Sequence, residues 1–283
     1  MADSFLYALI SMLFAGANDT LFKKQAVSGN SQSHFMMIAG MVWSSVFIFS
    51  AILSGNDMPT WLTIRWTFTI GALSACANYL LIYSMRRLEA GVASTIYRLN
   101  LAIAAIIAFV FLSESINMLK VAGLIFACLS VFSFARHQQI SIPKGAWLVL
   151  SVVLTASFLR AVYGVSYKVA LTNGVQYLWF LSGPGLGWMV LGSLVSYNKG
   201  SMRISRNTLI MGIISGFLLC GLVFFFAKAL KEGQASIIIP VSQMSFVVTA
   251  ILAYLFLGEK FNLRKIIGLC CACLSILLLS QSG

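Results

Sequence analysis

The sequence predicts an all-α integral membrane protein of ten transmembrane helices, arranged as two inverted five-helix repeats. Three observations lead there. The 283 residues are 60% hydrophobic and only 9% charged, with a mean hydropathy of +0.93, values outside the range of ordinary soluble domains. Windows of about 19 residues, enough to cross roughly 30 Å of hydrocarbon at 1.5 Å per residue, pick out ten apolar runs. The stretch FLSESINMLKVAGLIFACLS (111–130) then returns as FLGEKFNLRKIIGLCCACLS (256–275).

The ten spans are expected at 4–22, 34–54, 66–85, 91–112, 117–135, 145–169, 175–197, 207–229, 235–257 and 263–280. They lack the period-two alternation of barrel strands, so they read as helices. The first ends near Ala15-Gly16-Ala17, which resembles a signal cleavage site. The only charge before it is Asp3 rather than a basic cluster, so it reads as a retained helix. The fourth and fifth spans are parted by SESIN (113–117), where Asn117 is placed to cap the following helix and Glu114 to support that turn. Asn262 and Glu259 hold the same places before the tenth span. The seventh span contains Gly183-Pro184-Gly185 and the ninth Pro240, both candidates for a break or hinge. Gly183-x-x-x-Gly187 and Gly212-x-x-x-Gly216 read as sites of close helix packing.

With Glu114 set on Glu259, one constant offset also pairs Asn117 with Asn262, Lys120 with Lys265, Gly123 with Gly268 and Ser130 with Ser275. Shared hydrophobicity does not explain the polar matches. Upstream, EAGVAS (89–94) answers EGQAS (232–236) after a slip of about three residues. The repeats are therefore 1–137 and 138–283, each of five helices. Five is odd, so the second copy is expected upside down relative to the first. That is the plan of secondary transporters, whose site lies near the midplane between halves.

The pattern F-L-[SG]-E-x-x-N-x-x-[KR]-x-x-G, found in both halves, resembles the EamA branch of the drug/metabolite transporter superfamily. The resemblance implies a ten-helix, multi-pass inner (plasma) membrane carrier that moves amino acids, metabolites, sugars or drugs, often in exchange for protons. It also implies cytoplasmic termini. The charge count differs: Lys23, Lys24, Arg86, Arg87, Arg136 and several further basic residues lie on the side opposite the termini, which the positive-inside rule makes the cytoplasm. The same asymmetry accounts for most of the net charge of +12, so nucleic acid is not an expected partner.

Chemistry is expected at polar groups that hydrocarbon penalises. Asp19 alone among seven acidic residues lies inside a span, where a charge costs at least about 2.5–3.5 kcal/mol unless paired or facing the bundle interior. It is the candidate coupling residue, a carboxylate placed to carry a proton; the alternative is an interfacial pair with Lys23. Arg98 and Arg160 outnumber it, which favours a solute with an anionic group, because guanidinium stays charged and grips carboxylate or phosphate in two parallel bonds. The alternatives are that Arg98 is the structural partner of Asp19 and that Arg160 snorkels. Ser94 one turn before Arg98, Asn78 one turn after Ser74, Tyr163 and Tyr167 on the face of Arg160, and Gln243 at the place of Arg98 in the second copy complete the candidate binding set. The site is expected between the first, third, fourth, sixth, eighth and ninth spans.

All six cysteines fall in spans and read as small packing residues. His34 and His137 stand at span ends, and neither H-E-x-x-H, G-x-S-x-G nor a Walker A or dinucleotide pattern occurs, so no cofactor, metal or enzymatic activity is expected. The resulting expectation is a secondary transporter of small organic metabolites by alternating access, coupled to protons. The alternative is a lipid or lipid-precursor translocator whose groove opens to membrane lipid and whose arginines hold a headgroup phosphate.

Overall fold

The computed structural model describes residues 2–27, 31–85, 95–134, 147–198, 204–257 and 262–282. Among these every regular element is helical: α1 (Ala2–Val27), α2 (Gln32–Leu53), α3 (Trp61–Met85), α4 (Asn100–Phe111), α5 (Met118–Phe134), α6 (Trp147–Thr172), α7 (Tyr177–Leu181), α8 (Gly183–Asn198), α9 (Arg206–Glu232), α10 (Ala235–Gln243), α11 (Ser245–Leu257) and α12 (Leu263–Ser280). Eight helical runs are long and apolar enough to cross a membrane, α7–α8 and α10–α11 each counting as one, and the apolar runs Thr95–Phe111 and Met118–Phe134 are shorter.

The repeat governs the backbone as well as the motif. Helices start at residues 2 and 147, 32 and 177, 61 and 206, 100 and 245, and 118 and 263, so a single offset of 145 relates the two copies from end to end. Left-handed backbone follows the same offset. Gly55 (φ 67°), Gly174 (φ 76°) and Ser113 (φ 52°) are the described residues with positive φ, and the residues 145 places away are Gly200, Gly29 and Gly258. Glycine meets a left-handed turn without a Cβ clash, and the sequence repeats it at this offset.

The copies interleave rather than sit side by side. In the first copy α1 packs on α9 and α11, α2 on α8 and α9, α3 on α6 and α8, α4 on α10 and α6, and α5 on α12. The α5–α12 contact is reciprocal: Ser130 Oγ donates to Gly268 O at 2.7 Å, and Ser275 Oγ donates to Gly123 O at 2.7 Å. Each bond is the other's counterpart, the mark of a local twofold relation between two helices. Elsewhere close approach rests on glycine. A Cβ on Gly187 would lie 2.8 Å from the carbonyl carbon of Gly71, and one on Gly212 would meet Ile38 at 2.8 Å.

Of three interruptions, two differ from the expected hinges and one falls beside the expected Gly183-Pro184-Gly185. The ninth span breaks at Met244, between α10 and α11, not at Pro240, which lies inside α10. The fourth span breaks at the counterpart residue, Leu99, with residues 95–98 helical before it. Thr95 stands there in the place of Pro240, so the shared break is a property of the repeat and not of the proline. The third interruption, at Ser182, has no counterpart in the unbroken α2. Pro184 falls in the first turn of α8, where a missing N–H costs nothing, and Trp43 Nε1 donates to the freed Leu181 carbonyl at 3.0 Å.

Asn117 Oδ1 accepts from Lys120 N at 2.8 Å and Asn262 Oδ1 from Lys265 N at 2.9 Å, so each asparagine caps its helix. Glu114 does something other than support its own turn. Its two oxygens accept from Ala235 N at 2.7 Å and Ser236 N at 2.9 Å, at the start of α10 in the other copy. Glu259 lies outside the described residues. The cysteines depart from a uniform packing role: Cys220 is buried, whereas Cys76, Cys270 and Cys273 are exposed on the outside of the bundle.

Ser113→Gly is expected to stabilise the fold by about 0.5–1 kcal/mol, because a left-handed serine carries a Cβ penalty that glycine lacks. A rise in the thermal midpoint of the detergent-solubilised protein checks it, and a fall would show that the serine side chain holds the turn.

Candidate substrate and coupling site at the helix breaks

A helix interrupted within hydrocarbon leaves carbonyls and amides that lipid cannot satisfy, so protein groups must take them. At the first break Tyr97 O accepts from Ser157 Oγ of α6 at 3.1 Å and from Asn100 Nδ2 at 2.8 Å. At the second, Arg98 Nη1 donates to Gln243 O at 3.4 Å. Arg98 and Gln243 are counterparts, and counterparts touch only where the axis relating the copies passes between them. At 1.5 Å per residue Gln243 lies about 13 Å from the start of α10, close to half of a roughly 30 Å core.

Asp19 joins this point from α1. It accepts from Ser245 Oγ at 2.8 Å and stands 3.7 Å from Arg98 Nη2, while the Phe246 ring lies 4.9 Å from the guanidinium carbon. Gly16, one turn before Asp19, lets α11 come close enough for Ser245 to reach: a Cβ there would stand 2.9 Å from Ser245 O and 2.6 Å from Val248 Cγ1. The pair is not sealed, since the Arg98 and Asp19 side chains are 28% and 37% exposed. Where its open side faces water, such an ion pair contributes about 0–1 kcal/mol.

Arg160 is held differently. Its guanidinium lies 4.8 Å from the Tyr163 ring centroid, its Nε is buried without a hydrogen-bond partner, and among the described residues none forms an ion pair with it. Tyr97, Tyr163, Asp19 and Tyr167 contribute to the field around it. Tyr163 (3% exposed) and Tyr167 (0%) are packed away behind the arginine. Their hydroxyls are 3.4 Å apart, and the Tyr167 ring is wedged between Phe180 and Phe226 at 4.9 and 5.5 Å.

The structure thus gathers Asp19, Arg98 and the Gln243 carbonyl at one point, and sets Ser157, Arg160, Tyr163 and Tyr167 along one face of α6. Asn78 is spent on α3 itself, donating to Ser74 O at 2.8 Å, and Ser74 accepts from Trp188 Nε1 of α8. Ser94 lies outside the described residues. Sequence reasoning passed over Tyr97, Ser245 and Phe246. The available signal was adjacency: Tyr97 precedes Arg98, and Ser245 and Phe246 follow Gln243 within one turn. An apolar groove of about 530 Å³ lies apart from this point, between α2, α3 and α7–α8, and is lined by residues such as Phe68, Ala75, Leu186, Val190 and Leu194. Neither arginine lines it.

The sequence profile of the EamA-like transporter family matches residues 4–136 and 147–281, once per copy. The chain belongs to that family. It is therefore a multi-pass membrane protein of the drug/metabolite transporter superfamily, in a family of transporters rather than enzymes. A solved crystal structure of a protein superposes with a TM-score of 0.85 over 99% of this chain and 97% of that one, at 11% identity; so low an identity shows the fold alone. No curated protein matches the chain in sequence.

A double-mutant cycle with Asp19→Asn and Arg98→Gln is expected to give a coupling of about 1 kcal/mol or less in unfolding free energy. A coupling of several kcal/mol would mean a sealed structural pair.

Proposed function

We propose that the protein is a proton-coupled secondary transporter of small organic metabolites bearing an anionic group, working by alternating access. In this reading ten spans form two inverted five-helix repeats, 1–137 and 138–283, in the inner membrane, with the solute at the twofold axis. The reciprocal Ser–Gly bonds and the counterpart breaks support the inverted arrangement. One observation carries the choice of solute: Asp19 is already the counter-ion of Arg98, and among the described residues no ion pair is made to Arg160. An unpaired cation at depth costs several kcal/mol, and a carboxylate or phosphate on the solute supplies the missing partner through paired N–H donors. The tyrosines behind Arg160 fix its orientation. Asp19, held by one hydroxyl and one open ion pair, is the group that takes and releases a proton; when it is neutral, Arg98 is free to turn to the solute as well.

A lipid translocator needs an apolar channel that leads to a headgroup site. The groove between α3 and α8 has the apolar wall and no arginine, which favours the soluble-solute reading.

Grouped carboxylates, phosphates, cations and neutral metabolites, screened by thermal shift on the purified protein, test the solute. A ligand at a hundred times its Kd adds about 2.7 kcal/mol, and that gain is expected for anions with the parent and with Asp19→Asn, and to vanish with Arg160→Ala. Cations or neutral compounds stabilising parent and variant alike would overturn the anionic assignment. For coupling, Asp19→Asn proteoliposomes are expected to lose uptake driven by a pH gradient while keeping counterflow exchange of the compound that the screen returns. Full gradient-driven uptake by this variant would remove Asp19 from the proton path.

A further inference from the structure

Three charged side chains converge on residues 230–236, where α9 passes into α10. Glu114, in the turn after α4, receives the Ala235 and Ser236 amides on its two oxygens. Lys120 of α5, fully buried, donates to Ser115 Oγ at 3.3 Å and to Gln234 Oε1. Lys168 near the end of α6 donates to Leu230 O at 2.7 Å and Gly233 O at 2.9 Å. Both lysines lie in the field of Glu114. The link between α9 and α10 is thus held through its backbone by Glu114 and Lys168 and through the Gln234 side chain by Lys120, and two of the three belong to the other copy.

The sequence carries the same trio once more at the repeat offset, as Lys23, Glu259 and Lys265. The interface of α5 with α12 shows what a permanent contact looks like here, because both of its counterpart bonds are made at once. A clasp that closed one end of a carrier cannot be permanent in that sense. If a site on the axis is to empty, the end now held by Glu114 has to open.

We propose that Glu114, with Lys120 and Lys168, is the reversible clasp that shuts one end of the bundle. This inference rests on the alternating-access reading above. Its connection to the site is mechanical. α10 is a rod of nine residues held at both ends by the first copy, by Glu114 at its first amides and by Arg98 at its last carbonyl. Releasing the amide end lets the rod tilt about the Met244 break, and drawing Arg98 toward a solute loosens the carbonyl end. The carboxylate suits the task because its bonds to helix-terminal amides are strong for their number, and each is a single polar contact that water can replace once it enters.

Hydrogen–deuterium exchange on the full chain in lipid nanodiscs, parent against Glu114→Gln, tests the clasp. The amide keeps the size of the side chain but has one acceptor oxygen, and it turns an N–H2 toward the second backbone amide. Exchange across 230–238 is expected to rise about tenfold, while exchange across 262–267, at the other end of the bundle, falls by a similar factor as that end closes in compensation. A rise confined to 230–238, or no change, would make Glu114 a static cap and overturn the proposal. If Glu114→Gln does not fold, Lys168→Met removes the bonds to Leu230 and Gly233 and is expected to move the same two regions in the same opposite senses, by about threefold; its failure to do so would likewise overturn the clasp. The outcome is independent of the anion screen. Anion binding through Arg160 with only a local effect at 230–238 sinks the clasp alone, and opposed shifts without any anion binding sink the solute assignment alone.

Discussion

Hydrocarbon provides no hydrogen-bonding partners, and the two mid-depth helix breaks put this protein under that constraint where its copies meet. A continuous helix satisfies its own backbone; one stopped at Leu99 or Met244 does not. The first break is repaired locally, by the Asn100 amide and the Ser157 hydroxyl on the Tyr97 carbonyl. The second is repaired by Arg98, from the other copy. Because that repair is made with a guanidinium, a permanent positive charge is brought to the axis, and Asp19 follows it as counter-ion with Ser245 as orienting hydroxyl. The polar centre is therefore tied to backbone bookkeeping from the start.

Much of the architecture was legible because a repeat in sequence is a repeat in backbone. The match of Glu114 and Asn117 with Glu259 and Asn262 fixes one offset, and that offset predicts the start of each described helix of the second copy from the first. It also sets Ser113, which has a left-handed backbone, against a glycine in the second copy. The cap function of Asn117 and Asn262 was equally readable, since an N-cap is a local bond three residues long.

What the sequence concealed is mostly long-range. Glu114 was read against its own turn, yet its partners are about 120 residues away, and no local rule distinguishes a carboxylate that meets the nearest helix from one that meets another. Pro240 drew attention as a breaker, but in a packed membrane helix the lost bond of a proline is tolerated, and the break one turn later has its counterpart at Leu99, where no proline is near. Tyr163 and Tyr167 share a face with Arg160, as their spacing says. Spacing does not say that Phe180 and Phe226 pack against the Tyr167 ring and wedge it in place.

A symmetric frame makes its asymmetries informative. The counterparts of the three charged residues at the centre are uncharged: Gly164 answers Asp19, Gln243 answers Arg98, and Ala15 answers Arg160. Packing alone would have been served by similar residues in both copies, as it is at Gly123 and Gly268 or Ser130 and Ser275. Instead each charge is present once, and together they leave one positive charge over. Gly164 has a further reason to stay small, since a Cβ there would press on the Ile239 side chain of α10 at 3.3 Å. An excess charge of this kind, set at a frame whose two copies otherwise match, is the feature on which the proposal of an anionic solute rests.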